Sequence, residues 1–433
     1  MITRAGRNDV APSDWESFSI PADDLDLDEI TGLRKDADGV ISLELALSRE
    51  YLPVFTAKGN LDIAAAPLAL PPPPSTDVIF DMSGYLPAAS NYVPVEPTRL
   101  LDTRQSGQQH VGALVNAQVI EVTLAGNAGL PQPNEIGAVV LNVTVVPQKA
   151  GYLTVYPDAM LPDTSNINFA ENENTAGLVI IAPGFDGKIN LRNVTTPGFS
   201  SHVVVDVFGY FPPVADIHMV TPKRVFDSRV APYGPKFAAN ETRDVQLAGV
   251  GGIPFQGVGA VIANVTAANP AATGWTTVYE DGTLRPGTTN LHYVTNAART
   301  NLVILPLSNQ GYASIYTSQS AHYVVDVLGW FGEGVDFEPI SPLRLVDTRN
   351  DPNGELGPID PLSIEAVGPD DMVAIFGNLT AVKPTMRGYL QVYLDVVLDP
   401  TNLNFYAGKT VSNAVMTPVS PEGQFDVRAT FVP

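Results

Sequence analysis

Cysteine is absent from this 433-residue chain, so disulfides, thiolate metal sites and a cysteine nucleophile are all excluded. Histidine is scarce. His110, His202, His218, His292 and His322 show no ligand spacing of the His-x-x-x-His kind, and no metal is expected from them. Charged residues make up only 16%, and basic ones are the minority: 24 Lys and Arg against 46 Asp and Glu leave a net charge of −22. Such a surface repels nucleic-acid phosphates and anionic lipid, which removes nucleic acid and membrane from the expected partners. No apolar run is long enough to span a bilayer, and no apolar segment follows Arg4 and Arg7 as it would in a signal peptide. There is no Walker loop, Gly-x-Ser-x-Gly elbow or dinucleotide fingerprint. The stretch Asp36-Ala37-Asp38-Gly39 has Arg34 where a calcium loop needs its first ligand, and it lacks a closing acid. The reading from these absences is a chain without cofactor, metal or catalytic residues.

What the sequence has in quantity is hydrophobic residues, 45% of the chain, cut up by 38 prolines and 36 glycines. That mixture suits a large core made of short strands and turns. Self-similarity then organises the chain. Leu100-Leu101-Asp102-Thr103-Arg104 returns as Val225-Phe226-Asp227-Ser228-Arg229 and as Leu345-Val346-Asp347-Thr348-Arg349. Next come Asn142-Val143-Thr144, Asn264-Val265-Thr266 and Asn378-Leu379-Thr380 within apolar runs. Gly151 to Tyr156, Gly274 to Tyr279 and Gly388 to Tyr393 follow, and then Asn166 to Phe169, Asn290 to Tyr293 and Asn402 to Phe405. Ordered matches of this kind in three copies define a repeat of roughly 120 residues.

Each block reads as a strand, with β-branched and apolar residues alternating with polar ones between Gly, Pro, Asn and Asp. In the first copy strands are expected near 98–103, 118–124, 137–146, 152–156, 166–169, 177–183, 187–193 and 202–211. The resulting expectation is an all-β chain of three tandem β-sandwich (jelly-roll-like) modules behind an extended acidic N-terminal arm. The boundaries are 1–92 for the arm and docking segment, then 93–213, 214–334 and 335–433 for the three repeats.

The closing strand of a repeat, Val205-Asp206-Val207-Phe208-Gly209-Tyr210-Phe211, recurs as Val325-Asp326-Val327-Leu328-Gly329-Trp330-Phe331. It also occurs early, as Phe80-Asp81-Met82-Ser83-Gly84-Tyr85-Leu86, while the third repeat has none. Asp81, Asp206 and Asp326 each stand 21 residues ahead of the next Asp-Thr/Ser-Arg. A repeat without its last strand exposes an unpaired edge. Residues 76–86 are therefore expected to complete the third repeat, either within one chain or across to a neighbouring subunit. The competing reading makes 40–92 a small subdomain of its own. Residues 1–40, with Asp23-Asp24-Leu25-Asp26-Leu27-Asp28-Glu29, read as a docking tail, and Pro71 to Pro74 as a stiff linker.

Through Arg99 to Arg104, Asn142 to Thr144, Gly151 to Tyr156, Asn166 to Phe169 and Val203 to Phe211, with their counterparts, the chain resembles a known family. These are the Arg-Leu-Leu-Asp-Thr-Arg repeats of secreted actinobacterial surface proteins and of actinobacteriophage minor tail proteins. The resemblance covers about 93–433, and it implies a surface or virion role without established catalysis.

The repeated Asp102, Arg104, Asp227, Arg229, Asp347 and Arg349, with Asp81, Asp206 and Asp326, are read as structural. Asp102 or Arg104 would pair with Asp206 or cap backbone groups, since charges near a core need partners. Asn142, Asn264 and Asn378 match the glycosylation sequon, but they lie in apolar strands and are read as satisfied polar groups at strand ends. Tyr152, Trp275 and Tyr389 share one repeated position and are the candidates for stacking on a glycan ring, against sheet-face packing as the plainer role.

The expected function is that of a virion component of an actinobacteriophage, a minor tail protein of the tip or fibre. Its expected partners are other virion proteins, met through the N-terminal arm, copies of itself in a homotrimer, and host cell-wall glycan. The alternatives are a secreted adhesin or wall-carbohydrate-binding protein, and a capsid decoration protein. An enzyme would need a carboxylate pair breaking the repeat in one copy, and none stands out.

Overall fold

The computed structural model describes residues 72–157, 160–334, 336–350, 354–394 and 400–432, together with two short strands nearer the N-terminus. The chain divides into two compact units, Met1–Pro73 and Pro74–Pro433. In the first, β1 (Leu33–Lys35) pairs antiparallel with β2 (Ile41–Leu43), Leu33 opposite Leu43. The acidic run 23–29 and the rest of the docking tail apart from β1 lie outside the described residues.

The second unit opens with β3 (Asp77–Pro87) and continues through three cycles of strands. The first holds β4 (Val93–Asp102), β5 (Leu114–Val115), β6 (Val119–Thr123), β7 (Ala138–Pro147), β8 (Gly151–Tyr156), β9 (Ile167–Phe169), β10 (Thr175–Ile181), β11 (Lys188–Thr195) and β12 (Ser200–Phe211). The second holds β13 (Ile217–Asp227), β14 (Glu241–Gln246), β15 (Val258–Ala268), β16 (Gly274–Glu280), β17 (Leu291–Tyr293), β18 (Arg299–Leu305), β19 (Tyr312–Thr317) and β20 (His322–Gly332). The third holds β21 (Glu338–Asp347), β22 (Leu362–Glu365), β23 (Met372–Val382), β24 (Gly388–Tyr393), β25 (Leu403–Phe405), β26 (Val411–Pro418) and β27 (Gln424–Phe431). Alternation decides the half-buried strands: in β11 every second residue is buried. β7, by contrast, is buried along almost its whole length, as a strand covered on both faces must be.

These strands form six antiparallel sheets, which we call blades. Three have the orders β4-β12-β7-β10, β13-β20-β15-β18 and β21-β3-β23-β26. The other three are β6-β11-β8-β9, β14-β19-β16-β17 and β22-β27-β24-β25. The strands β10, β18 and β26 touch one another around a common axis, and β9, β17 and β25 pack beside them. The expectation of three tandem β-sandwich, jelly-roll-like modules is thereby corrected: the arrangement is a six-bladed β-propeller of small antiparallel sheets.

The physical reason lies in the second face of the first-type blades. Leu141, Val143 and Val145 of β7 face Leu153, Val155 and Leu191 of the blade from the same repeat. The intervening Val140 belongs to a central core shared with Ile262, Leu302, Phe376 and Met416 from the other two repeats. A free-standing sandwich would turn that face to water. Here Phe211, Phe331, Phe337 and Phe376 form a chain of rings across it, with successive centroids 5.6, 5.0 and 6.2 Å apart.

The ring is closed within one chain. β3 lies between β21 and β23, with Asp81 opposite both Arg344 and Asn378. It thus occupies in the third repeat the place of β12 in the first and β20 in the second. Val78, Phe80 and Met82 are fully buried, and the Phe80 ring lies 4.9 Å from that of Phe425. A chain beginning at Pro74 is expected to keep the single cooperative urea transition and midpoint of this unit. A chain beginning at Val93 should lose that transition or self-associate through the bared edges of β21 and β23, as size-exclusion chromatography would show.

Candidate functional site

The recurring polar residues meet in one row per first-type blade. Across β7, β12 and β4, Asn142 stands opposite Asp206 and Asp206 opposite Arg99. The same row reads Asn264, Asp326, Arg224 in the second repeat and Asn378, Asp81, Arg344 in the third. The carboxylates are buried in mid-sheet, each 1% exposed, so they need a counter-charge. Arg99 Nε donates to Asp206 Oδ1 at 2.9 Å, Arg224 Nε to Asp326 Oδ1 at 2.9 Å, and Arg344 Nε to Asp81 Oδ1 at 2.8 Å. In each pair Nη2 donates to the other oxygen, giving the bidentate fork that suits guanidinium.

The row is also the joint between repeats. Asn142 Nδ2 donates to the Thr401 carbonyl at 2.5 Å, Asn264 Nδ2 to Ser165 at 3.4 Å, and Asn378 Nδ2 to Thr289 at 2.8 Å. Each acceptor belongs to the second-type blade of the preceding repeat around the ring. The Thr289 N–H returns a bond to Asp81 Oδ2 at 2.9 Å, and a Ser165 backbone bond reaches Asp326. The next residue locks each loop to its own blade: Asn166, Asn290 and Asn402 accept from the Val155, Val278 and Val392 N–H groups, all at 2.7 Å. Asn142, Asn264 and Asn378 therefore sit mid-strand, not at strand ends.

Asp102, Asp227 and Asp347 do a separate job at the ends of β4, β13 and β21. Asp102 Oδ1 accepts from the Arg104 backbone N–H at 3.0 Å and from its Nε at 2.8 Å, while Oδ2 accepts from Nη2 at 2.7 Å. Arg229 and Arg349 hold Asp227 and Asp347 through the same Nε and Nη2 fork. Of the two roles expected for Asp102 or Arg104, pairing with Asp206 or capping backbone groups, Asp102 takes the second at the Arg104 N–H, and the guanidinium that closes on Asp206 is that of Arg99. The intervening hydroxyl is also used: Thr103 Oγ1 accepts the Val203 N–H, Ser228 Oγ that of Tyr323, and Thr348 Oγ1 that of Val78. Thr103 and Ser228 contact the Nδ1 atoms of His202 and His322, which explains the repeated histidine.

At the axis, Asn301 Nδ2 donates to Asn378 Oδ1 at 2.8 Å, and Asn413 Nδ2 to Asn142 Oδ1 at 3.1 Å. Their own Oδ1 atoms accept the N–H groups of Ala414 and Leu178, edge donors that would otherwise lack a strand partner. Glu173 ties the repeats together by holding both Arg299, at 2.6 Å, and Lys409. Asn301 and Asn413 carry no repeat signal, because the first repeat has Gly177 where the others have asparagine, and neither does Glu173, whose counterparts are Ala297 and Lys409.

Tyr152, Trp275 and Tyr389 sit on β8, β16 and β24, three different blades, and the ring does not bring them together. Trp275 is 43% exposed, while Tyr152 and Tyr389 are half-buried. Among the described residues no group of His, Asp and Glu is arranged to hold a metal ion. No helix among them is long and apolar enough to cross a membrane. Neither a comparison with protein-family models nor one with curated proteins finds a match to this chain.

Two predictions follow from the carboxylates. Arg224→Ala leaves Asp326 buried without its counter-charge and should cost about 3–5 kcal/mol in urea unfolding. The second concerns acid. Side-chain bonds from Arg104 and Arg349 hold Asp102 and Asp347 below the usual aspartate range. Desolvation is the largest single effect on Asp227 and pushes it up, but the bonds and charge of Arg229 outweigh it and leave it lowered too. A lowered folded value gives stability that is present above the unfolded value of 3.8 and is lost as pH falls through the folded one. Asp326 runs the other way: desolvation raises it, so its contribution declines as pH rises through its folded value. Melting temperature should therefore drop on acidification below pH 3.8, and less so in Asp347→Asn.

Proposed function

We propose that this chain is a structural component of an actinobacteriophage virion, a minor tail protein of the tip or fibre that acts by assembly and surface presentation. The observation that carries the reading is the use of the repeated polar residues. The Asp, Arg and Asn that mark the Arg-Leu-Leu-Asp-Thr-Arg resemblance are spent on one another and on neighbouring backbone, as joints of a ring. A protein whose most repeated chemistry is mechanical is suited to being a building part. The acidic N-terminal segment supplies a docking tail for other virion proteins, and the reading includes a homotrimer as the assembled form.

A second reading, a bacterial surface adhesin that binds wall carbohydrate, is favoured by one feature, the half-exposed Trp275 ring on β16. Immunogold labelling with an antibody against the recombinant chain separates the two. Gold on the tails of purified particles is the expected result. Gold confined to the host cell envelope would overturn the virion reading in favour of the adhesin.

A further inference from the structure

Between the first repeat and β13 of the second lies a cleft of about 550 Å³. It opens because β13 leaves its register with β20 between Met219 and Lys223, and Val220, Thr221 and Pro222 line the gap. Buried Ile180 and Leu328 make its wall apolar. Its described lining carries no charged side chain, in a chain of net charge −22. A cleft of this size and character takes a small neutral ligand, provided that a few polar groups are placed to orient it.

Asn166 is such a group. It is 7% exposed, its N–H donates to the Leu153 carbonyl at 2.9 Å, and its Oδ1 accepts the Val155 N–H at 2.7 Å. Those two bonds fix the amide. Its Nδ2 has no acceptor among the described residues and is not sealed from solvent, so a donor of fixed direction is offered to the cleft that Asn166 lines. Asn290 repeats the arrangement in a smaller cleft of about 220 Å³ at the next joint. Phe185 sets the larger one apart. The Gly184 N–H donates to the Lys188 carbonyl and the Gly187 N–H to the Gly184 carbonyl, both at 2.8 Å. The turn so closed holds the Phe185 ring at the edge of the cleft, fully exposed. The corresponding turns of the other repeats have Asn309 and Pro421 there. Asn134 and Thr221, also on the lining, are exposed and their side chains have no hydrogen bond among the described residues.

We propose that this cleft binds an uncharged, N-acetylated saccharide. Asn166 Nδ2 donates to the acetamido carbonyl, whose methyl group lies on the apolar wall, while one face of a sugar ring stacks on Phe185. Asn134 and Thr221 meet the sugar hydroxyls. An uncharged lining favours such a sugar over an acidic one, and the fixed amide donor favours it over a wholly apolar ligand. The site deepens the reading of the chain as a virion or surface protein, resting on it only for the biological source of the sugar. Its binding is measured on the purified full chain, so failure here leaves the location of the protein to the gold labelling.

Isothermal titration calorimetry with N,N′-diacetylchitobiose tests it, against cellobiose, which has hydroxyls in place of the acetamido groups. The acetylated disaccharide is expected to bind about 10-fold more tightly. Phe185→Ala removes an exposed ring, so it should weaken binding about 10-fold and leave the melting temperature unchanged. Asn166→Asp keeps an acceptor for the Val155 N–H but loses the donor, and should abolish the preference for the acetylated sugar. Trp275→Ala, on another blade, should leave binding as it is. No binding of diacetylchitobiose, equal affinity for cellobiose, full affinity in Phe185→Ala, or loss of binding in Trp275→Ala would each overturn the proposal.

Discussion

A carboxylate in the middle of a sheet, covered on both faces, cannot stay there without a counter-charge and donors for its remaining lone pairs. This chain sets three of them, Asp81, Asp206 and Asp326, in β3, β12 and β20. A guanidinium from the outermost strand of the same blade closes on each from one side. At Asp81 and Asp326 the backbone of the preceding repeat reaches it from the other. The asparagine on the next strand carries a second bond to that same loop. Satisfying the buried charge and joining one repeat to the next are therefore a single arrangement. Because such a pair contributes little net energy beyond what its desolvation costs, its value lies in fixing register and orientation. Apolar packing in the central core supplies the bulk of the attraction.

Closure depends on the same row. With β3 in the third repeat, Asp81 completes the third joint, and that blade has four strands like its counterpart in the second repeat, while the first carries β5 as a fifth, paired with β12. The long sequence separation between β3 and its partners makes the first strand of the ring also the one that seals it. Departures from threefold repetition are small and local. Gly177 removes one axial asparagine, and an added Cβ there would crowd Ile167. Ala176 removes one hydroxyl, and Arg387 adds one cation. These three positions make the joint between the first and third repeats chemically distinct from its sisters.

Much of this was legible in the sequence at the level of strands. The eight strands expected in the first repeat correspond to β4 and to β6 through β12, because alternation and turn residues are local signals. The spare strand at Phe80 to Leu86 was legible as well, from its spacing to the Asp-Thr-Arg motif. What was not legible is where the second face of each first-type blade goes. A row such as Asn142, Asp206, Arg99 looks the same in sequence whether it faces water, a ligand or a neighbouring blade. Without knowing that Thr401 and Ser165 come to meet it, a free-standing sandwich was the natural reading, and a ring of six blades was not. The pairing of Asp206 with Arg99 rather than Arg104 has a similar cause. Cross-strand register with its bulge after Val205 decides it, and sequence spacing does not. Asn301 and Asn413 were invisible because the repeat breaks at Gly177.

Native-state hydrogen exchange along β3 tests the central claim most directly, that the row of buried carboxylates and the closing strand make one cooperative ring. If the claim holds, the amides of Val78 to Leu86 and the Thr289 amide that donates to Asp81 exchange only with global unfolding, in the same class as Val265 in β15. If β3 opened at a lower free energy while β15 and β7 stayed protected, the ring would be an assembly of independent repeats and the account would be wrong.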